Sequence, residues 1–281
     1  MAQIFPSTGS LRASTALAVF GIASALFLPA IASAQVALGT AQNFAVLAAT
    51  AVTNTGATVV NGNVGLSPGS SITGFPPGVV VGGSLHINDG QAVLAKTDLV
   101  NAYNSASALP CDATIVADLG GQTLAPGVYC APATAAVTGV LTLNYQGNPN
   151  AVFVFKVGSA LTAASGSSVV AINTGGVTCR SNVNWIVGSS ATLGTLSEFA
   201  GNILATASVT LNTGAQLAGR ALAINGATTL DTNTITACTL ASAPGSATSI
   251  PTLSEWALIF LSSMMALGGW VLIRRRTGGA R

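Results

Sequence analysis

Ala191-Thr192-Leu193-Gly194-Thr195, Val209-Thr210-Leu211-Asn212-Thr213 and Thr228-Thr229-Leu230-Asp231-Thr232 are three versions of one short phrase. Thr192, Thr210 and Thr229 stand 18 and then 19 residues apart, and a large apolar residue follows each phrase at an even step of 18: Phe199, Leu217 and Ile235. Self-similarity at so short a period, without helical spacing, is the sign of a β-solenoid, whose coils stack to bury a shared core. Period-two alternation along each strand predicts that Leu193, Leu211 and Leu230 point inward and their threonine neighbours outward. Coils about 4.8 Å apart, with alternate residues of a strand about 6.6–7 Å apart, give a flat lattice of hydroxyls and methyls. Threonine suits any solvated strand; its recurrence in one column is what points to a surface with a task.

Working outward, Thr195, Thr213 and Thr232 form a second column, and Ser190, Ser208 and Ala227 a third, two residues ahead of the main threonines. The segment Ala160-Leu161-Thr162-Ala163-Ala164-Ser165-Gly166 repeats the pattern, with Thr162 in the main column and Ser165 in the second. Thirty residues separate Thr162 from Thr192, one coil plus an insertion of about twelve that includes Cys179. Val187, Ala205 and Ala223 form a further set, expected to mark another, flatter surface, and Asp231 is expected to put a charge among the outward side chains.

Upstream, Phe44-Ala45-Val46-Leu47, Thr58-Val59-Val60 and Gly78-Val79-Val80-Val81 are β-prone runs separated by turn clusters such as Asn61-Gly62-Asn63 and Ser67-Pro68-Gly69. From Asn88 to Ala108 glycine becomes scarce, and Ala92, Leu94, Ala95, Leu99, Val100, Ala102 and Tyr103 recur at helical offsets. This predicts one amphipathic helix over about 88–108, capped by Asp89 and packed along the coils. After Cys130, the runs Val140-Leu141-Thr142-Leu143 and Ala151-Val152-Phe153-Val154-Phe155 return to strand character.

Half of the residues are apolar and only 6% are charged, far below the roughly 25% of an ordinary soluble domain. Residues 35–249 hold four cations against six acids, a balance of −2, while the whole chain is +2 because of its ends. No basic patch is present to hold a phosphate backbone, so nucleic acid is not an expected partner. The acids are dispersed and His86 has no evident catalytic neighbours, so neither paired-carboxylate chemistry nor a metal site is expected. No cofactor is implied. The reading is of a protein that is not an enzyme.

The ends read as addresses. Arg12, the apolar stretch from Ala16 to Leu28 and Ala32-Ser33-Ala34 predict a signal peptide over 1–34, cleaved before Gln35. Export to an oxidising compartment permits bridges among Cys111, Cys130, Cys179 and Cys238; two disulfides are expected, with three pairings open. A β domain over 35–240 gives way to a Pro/Gly/Ser-rich linker, 241–250. An almost uncharged run, 256–273, then precedes Arg274-Arg275-Arg276 and has the length of a transmembrane helix with its basic end held inside.

Two resemblances bear on these readings. Ile250-Pro251-Thr252-Leu253-Ser254-Glu255-Trp256, with the apolar run and arginine cluster behind it, resembles the C-terminal sorting signal of Gram-negative bacteria named for its Ile-Pro-Thr-Leu motif. That implies a sorting signal over 251–281, a processing peptidase as partner, contact with the membrane before processing, and a cell-surface or extracellular location. Leu38 to Leu47, Ser70 to Gly78 and above all Val187 to Ala205 resemble the bacterial and fungal ice-binding protein family. The resemblance implies a mainly β fold, a right-handed discontinuous β-helix of three faces with one long α-helix alongside. It also implies adsorption to an ice crystal surface through a flat face, for which the candidate residues are Thr162, Ser165, Ser190, Thr192, Thr195, Ser208, Thr210, Thr213, Thr229 and Thr232. The family's motif, Thr-Ala/Gly-x-Thr/Asn, is matched only in its first two positions, by Thr162-Ala163-Ala164-Ser165. A surface adhesin or structural module would share the fold and the export signals.

Overall fold

Short strands separated by tight turns, with inward side chains every second residue, can bury those side chains only by stacking on one another. The computed structural model describes residues 35–177 and 181–238, and every strand pairing among them is parallel. The fold is mainly β, with parallel sheets and one long helix. A seven-stranded sheet runs Ala135–Val137, Leu161–Ala163, Ala191–Leu193, Val209–Leu211, Thr228–Asp231, Ala51–Thr55, Ser71–Thr73. A fifteen-stranded sheet holds two ladders that share the long strands Glu198–Ala205 and Gln216–Ala223. The first halves of those strands join the ladder that runs to Thr234–Thr236, Val59–Asn61 and Val79–Val81. Their second halves join the ladder to Phe44–Ala48, Asn63–Leu66 and Leu85–Ile87. Gly201 (φ 110°) and Gly219 (φ 157°) mark the change of ladder; a Cβ on Gly219 would lie 1.9 Å from the Gly201 carbonyl oxygen, which is why no larger residue fits.

Spatial order departs from chain order at one place. The last strands in sequence pair with the first, through Val46 to Ala221, Thr53 to Thr229 and Val60 to Ile235. The predicted inward leucines, Leu193, Leu211 and Leu230, are buried, as are Phe199, Leu217 and Ile235. Aromatic rings stack from rung to rung in the core: Phe155 stacks on Trp185 at 4.0 Å, Phe199 lies 4.9 Å from the same ring, and the Trp185 indole donates to the Ala200 carbonyl.

The helix spans Gly90–Ser107, and Asp89 caps it by accepting from the Ala92 amide at 2.9 Å. Ala92, Ala95, Leu99, Ala102 and Ala106 form its buried stripe. Their small size lets the helix lie close over Val154, Ile186, Leu204 and Leu222. Leu94 and Val100, expected on that stripe, are instead 59% and 38% exposed, because the narrow alanine stripe already fills the contact. Lys96 spans the join, its Nζ donating to the carbonyls of Ala223 and Ile224, and burial pulls its pKa down to about 8.

One expected bridge is present: Cys111–Cys130 closes the loop at one end of the ladders. Cys238 carries a free thiol, and Cys179 lies outside the described residues. The signal peptide over 1–34, the linker 241–250 and the sorting signal with its apolar run 256–273 also lie outside them. Among the described residues no helix is long and apolar enough to cross a membrane. Val187, Ala205 and Ala223, expected on a second flat surface, are buried; they end strands of the ladder beneath the helix and pack in the core.

Candidate functional site

The seven-stranded sheet brings the repeated threonines into one row. Pairing is in register across Ala136, Thr162, Thr192, Thr210, Thr229, Thr53 and Thr73, so six of seven rungs carry threonine at the same outward position. At about 4.8 Å per rung the row is about 29 Å long. Alternation fixes its direction: in Leu161–Ala163 and Val209–Leu211 the flanking residues are buried while Thr162 and Thr210 reach the surface. Backbone pairing on both sides of each interior strand holds the hydroxyls at fixed spacing.

Of the residues expected from sequence, Thr162, Thr192, Thr210 and Thr229 share that row. Among the described residues no side-chain hydrogen bond within the chain engages the hydroxyls of Thr162, Thr192 or Thr210, while those of Thr53 and Thr229 lie 3.4 Å apart. Ser165, Thr195 and Thr213 stand level at the turn that leaves the sheet, where Gly166 donates to the Thr195 carbonyl and Leu196 to that of Thr213. Thr232, expected in the same column, falls one residue further on, because Gly214 donates to the Asp231 carbonyl and Asp231 takes the place level with Thr213. Ser190 and Ser208 sit at the opposite border and are partly engaged by the backbone. The Ser190 hydroxyl accepts from the Ser208 amide at 3.4 Å, and the Ser208 hydroxyl from the Ala227 amide at 3.2 Å.

Thr53 and Thr73 stand outside the 18-residue repeat because their strands join the sheet from the other end of the sequence. The local signal was present: Ala51-Val52-Thr53-Asn54-Thr55 and Ser71-Ile72-Thr73 each set threonine around an inward β-branched residue. Asp231 is the charge expected among the threonines. It accepts from Thr213 at 2.5 Å and Thr232 at 3.0 Å, which ties its carboxylate to the turn.

Three further carboxylates are committed to backbone and hydroxyl donors. Asp118 accepts from Thr138 and the Gly120 amide, Asp98 from the hydroxyl and amide of Thr40, and Asp89 from the Ala92 amide beside His86. Those hydrogen bonds hold all three pKa values below the ordinary carboxylate value. His86 packs edge-on against Phe44 with Nδ1 2.7 Å from Asp89. Among the described residues no three His, Cys, Asp or Glu side chains cluster as metal ligands. A shallow groove of about 400 Å³ crosses the ladder next to the threonine sheet, but its lining is mostly apolar and Glu198 is its single carboxylate.

Residues 46–236 match the family model described as Ice-binding-like, and residues 248–276 match the IPTL-CTERM motif. The chain is 48% identical over 200 residues to an ice-binding protein of Nostoc sp. (strain HG1), which covers 70% of this chain and 72% of the relative. The crystal structure of an ice binding protein from an Antarctic biological consortium aligns with a TM-score of 0.69 at 46% identity, over 72% of this chain and 90% of that one. That of the ice-binding protein from the Antarctic ascomycete Antarctomyces psychrotrophicus aligns with a TM-score of 0.69 at 41% identity, over 73% of this chain and all of the other.

Proposed function

The chain belongs to the ice-binding-like family, and from that footing we propose that it is an exported ice-binding protein that adsorbs to ice through the threonine sheet. The observation that carries this is the seven-rung outward row with threonine at six positions. The three ladders are read as the three faces of a right-handed β-helix whose coil order is discontinuous, the helix covering one face. Such a scaffold holds methyls and hydroxyls on an inflexible lattice. Waters ordered in the gaps between rungs then join the ice front as a block. Each contact is weak, but the array is already organised, so little ordering entropy remains to be lost on adsorption. Low charge favours the same end, because strongly hydrated ions would disturb that water layer.

Residues 1–34 are a signal peptide, 241–250 a linker, and 251–281 a sorting signal processed by a peptidase at the cell surface, with 256–273 holding the chain in the membrane beforehand. The domain needs no cofactor or metal and catalyses no reaction. The threonine row is tested by Thr210→Tyr against Ala218→Tyr, an exposed position on the ladder next to it. Thr210→Tyr is expected to abolish ice shaping and recrystallisation inhibition while leaving the thermal midpoint within a few degrees of the parent, and Ala218→Tyr to leave both intact. The converse result would move the ice site to the ladder of Gln216 and Thr234. A parent protein inert toward ice would leave an adhesin or structural module.

A further inference from the structure

Cys238, the last described residue of the C-terminal end, sits at an edge of the stack that lies away from the threonine row. Thr236 pairs with Ala218, so Ala237 and Cys238 run beside Gly219 and Arg220. Buried Arg220 fastens this point: Nη2 donates to the carbonyls of Cys238 and Gln42 at 2.7 Å each, Nε to Gln42 at 2.9 Å, and Nη1 to the Asn202 side chain at 2.9 Å. A further coil would next lay a strand beside residues 220–223, but Phe44–Ala48 already pairs there, through Val46 to Ala221 and Leu47 to Leu222. The place beside residues 220–223 is therefore filled, and Cys238 sits where the helix-covered ladder meets the ladder of Thr234–Thr236.

In a three-faced winding this edge is opposite the third face, which holds the threonines. We infer that the C-terminal tail tethers the domain to the cell surface by the Arg220 edge, so that the threonine sheet is displayed outward, toward ice in the medium. The inference rests on the proposed reading of 251–281 as a surface-sorting signal. Twelve residues, 239–250, separate Cys238 from the sorting signal, a reach of at most about 43 Å. Turning the threonine sheet toward the cell would require that tail first to run round a whole side of the domain.

The test uses the full chain on intact producing cells, with single cysteines introduced at Thr210 and at Gln42 and a bulky, membrane-impermeant maleimide-polyethylene glycol as probe. Labelling above that of the parent chain is compared between cells and a detergent extract. Thr210→Cys is expected to react at the same rate in both, and Gln42→Cys to react several-fold more slowly on cells. Thr53→Cys and Asn43→Cys replace them should either variant fail to accumulate. Shielding of Thr210→Cys, or equal rates at both sites, would overturn the orientation, and recovery of the chain only from the medium would overturn the tether itself. The labelling ratio does not depend on ice activity, so a failure of the ice reading registers separately, in the Thr210→Tyr assay.

Discussion

At the scale of single residues, the turn that leaves the threonine sheet shows how closely backbone shape and site geometry are linked. Hydrogen bonds from one rung to the next align Gly166, Leu196, Gly214 and Thr232 at this turn, and all four have φ between 55° and 72°. Glycine takes that left-handed conformation freely, whereas a branched side chain brings its Cβ against the following carbonyl. Thr232 is compensated by the bond from its hydroxyl to Asp231. Leu196 is 68% exposed and makes no such bond. Leu196→Gly is therefore expected to stabilise the domain by about 1 kcal/mol, read as a rise in the urea midpoint with the slope unchanged. Thr232→Gly, which relieves the same conformation but removes the bond, should give no comparable gain. Equal gains at both positions would show that the Thr232–Asp231 bond contributes nothing.

Between elements, one compact set of polar contacts joins the helix to the entering chain. Asp98, on the helix Gly90–Ser107, accepts from both the amide and the hydroxyl of Thr40, each at 2.7 Å, in the short turn Gly39–Asn43. The Thr40 hydroxyl and then its amide hold the carboxyl below its ordinary value of 3.8. The folded pKa is lower than the unfolded one, so the unfolded chain binds more protons in the interval between them. The contact thus stabilises fully above about pH 4 and is lost as pH falls through the folded value. Asp98→Asn is expected to lower stability at pH 7 by no more than about 1 kcal/mol, given solvent screening at this partly exposed site. The two stability curves should converge at a pH below the folded value, as read by denaturant titration across pH. A constant offset down to that pH would mean the effect is steric and not electrostatic. Asp89 and Asp118 shift the same way, so acid sensitivity should remain in the variant at reduced slope.

For the molecule as a whole, the sequence revealed the parts built from neighbouring coils and hid the parts built from distant ones. Leu193, Leu211 and Leu230 betrayed their rungs because successive coils repeat at 18 or 19 residues, and the helix with its Asp89 cap followed from local spacing alone. The meeting of Thr53 with Thr229 leaves no periodic trace, since the paired strands lie 176 residues apart. The burial of Val187, Ala205 and Ala223 was equally hidden, because it depends on ladder pairing beneath the helix and not on local alternation. The same regularity that exposed the neighbouring coils makes the stack extensible. Residues 202–219 form one complete turn through all three ladders, and the strands on either side pair with it in register at a step of 18, or of 19 between Val209–Leu211 and Thr228–Asp231. A tandem duplication of 202–219 should add one rung to each ladder. Its inward leucines would meet the same neighbours, Asn202 would gain a second copy between itself and Arg220, and the Thr210 row would lengthen from seven rungs to eight. If adsorption sums over rungs, the variant should fold cooperatively and show greater freezing-point depression per mole than the parent. Deleting the same residues should shorten the row to six and reduce that activity. A duplicated protein that melts like the parent yet gains no activity would separate the threonine row from ice.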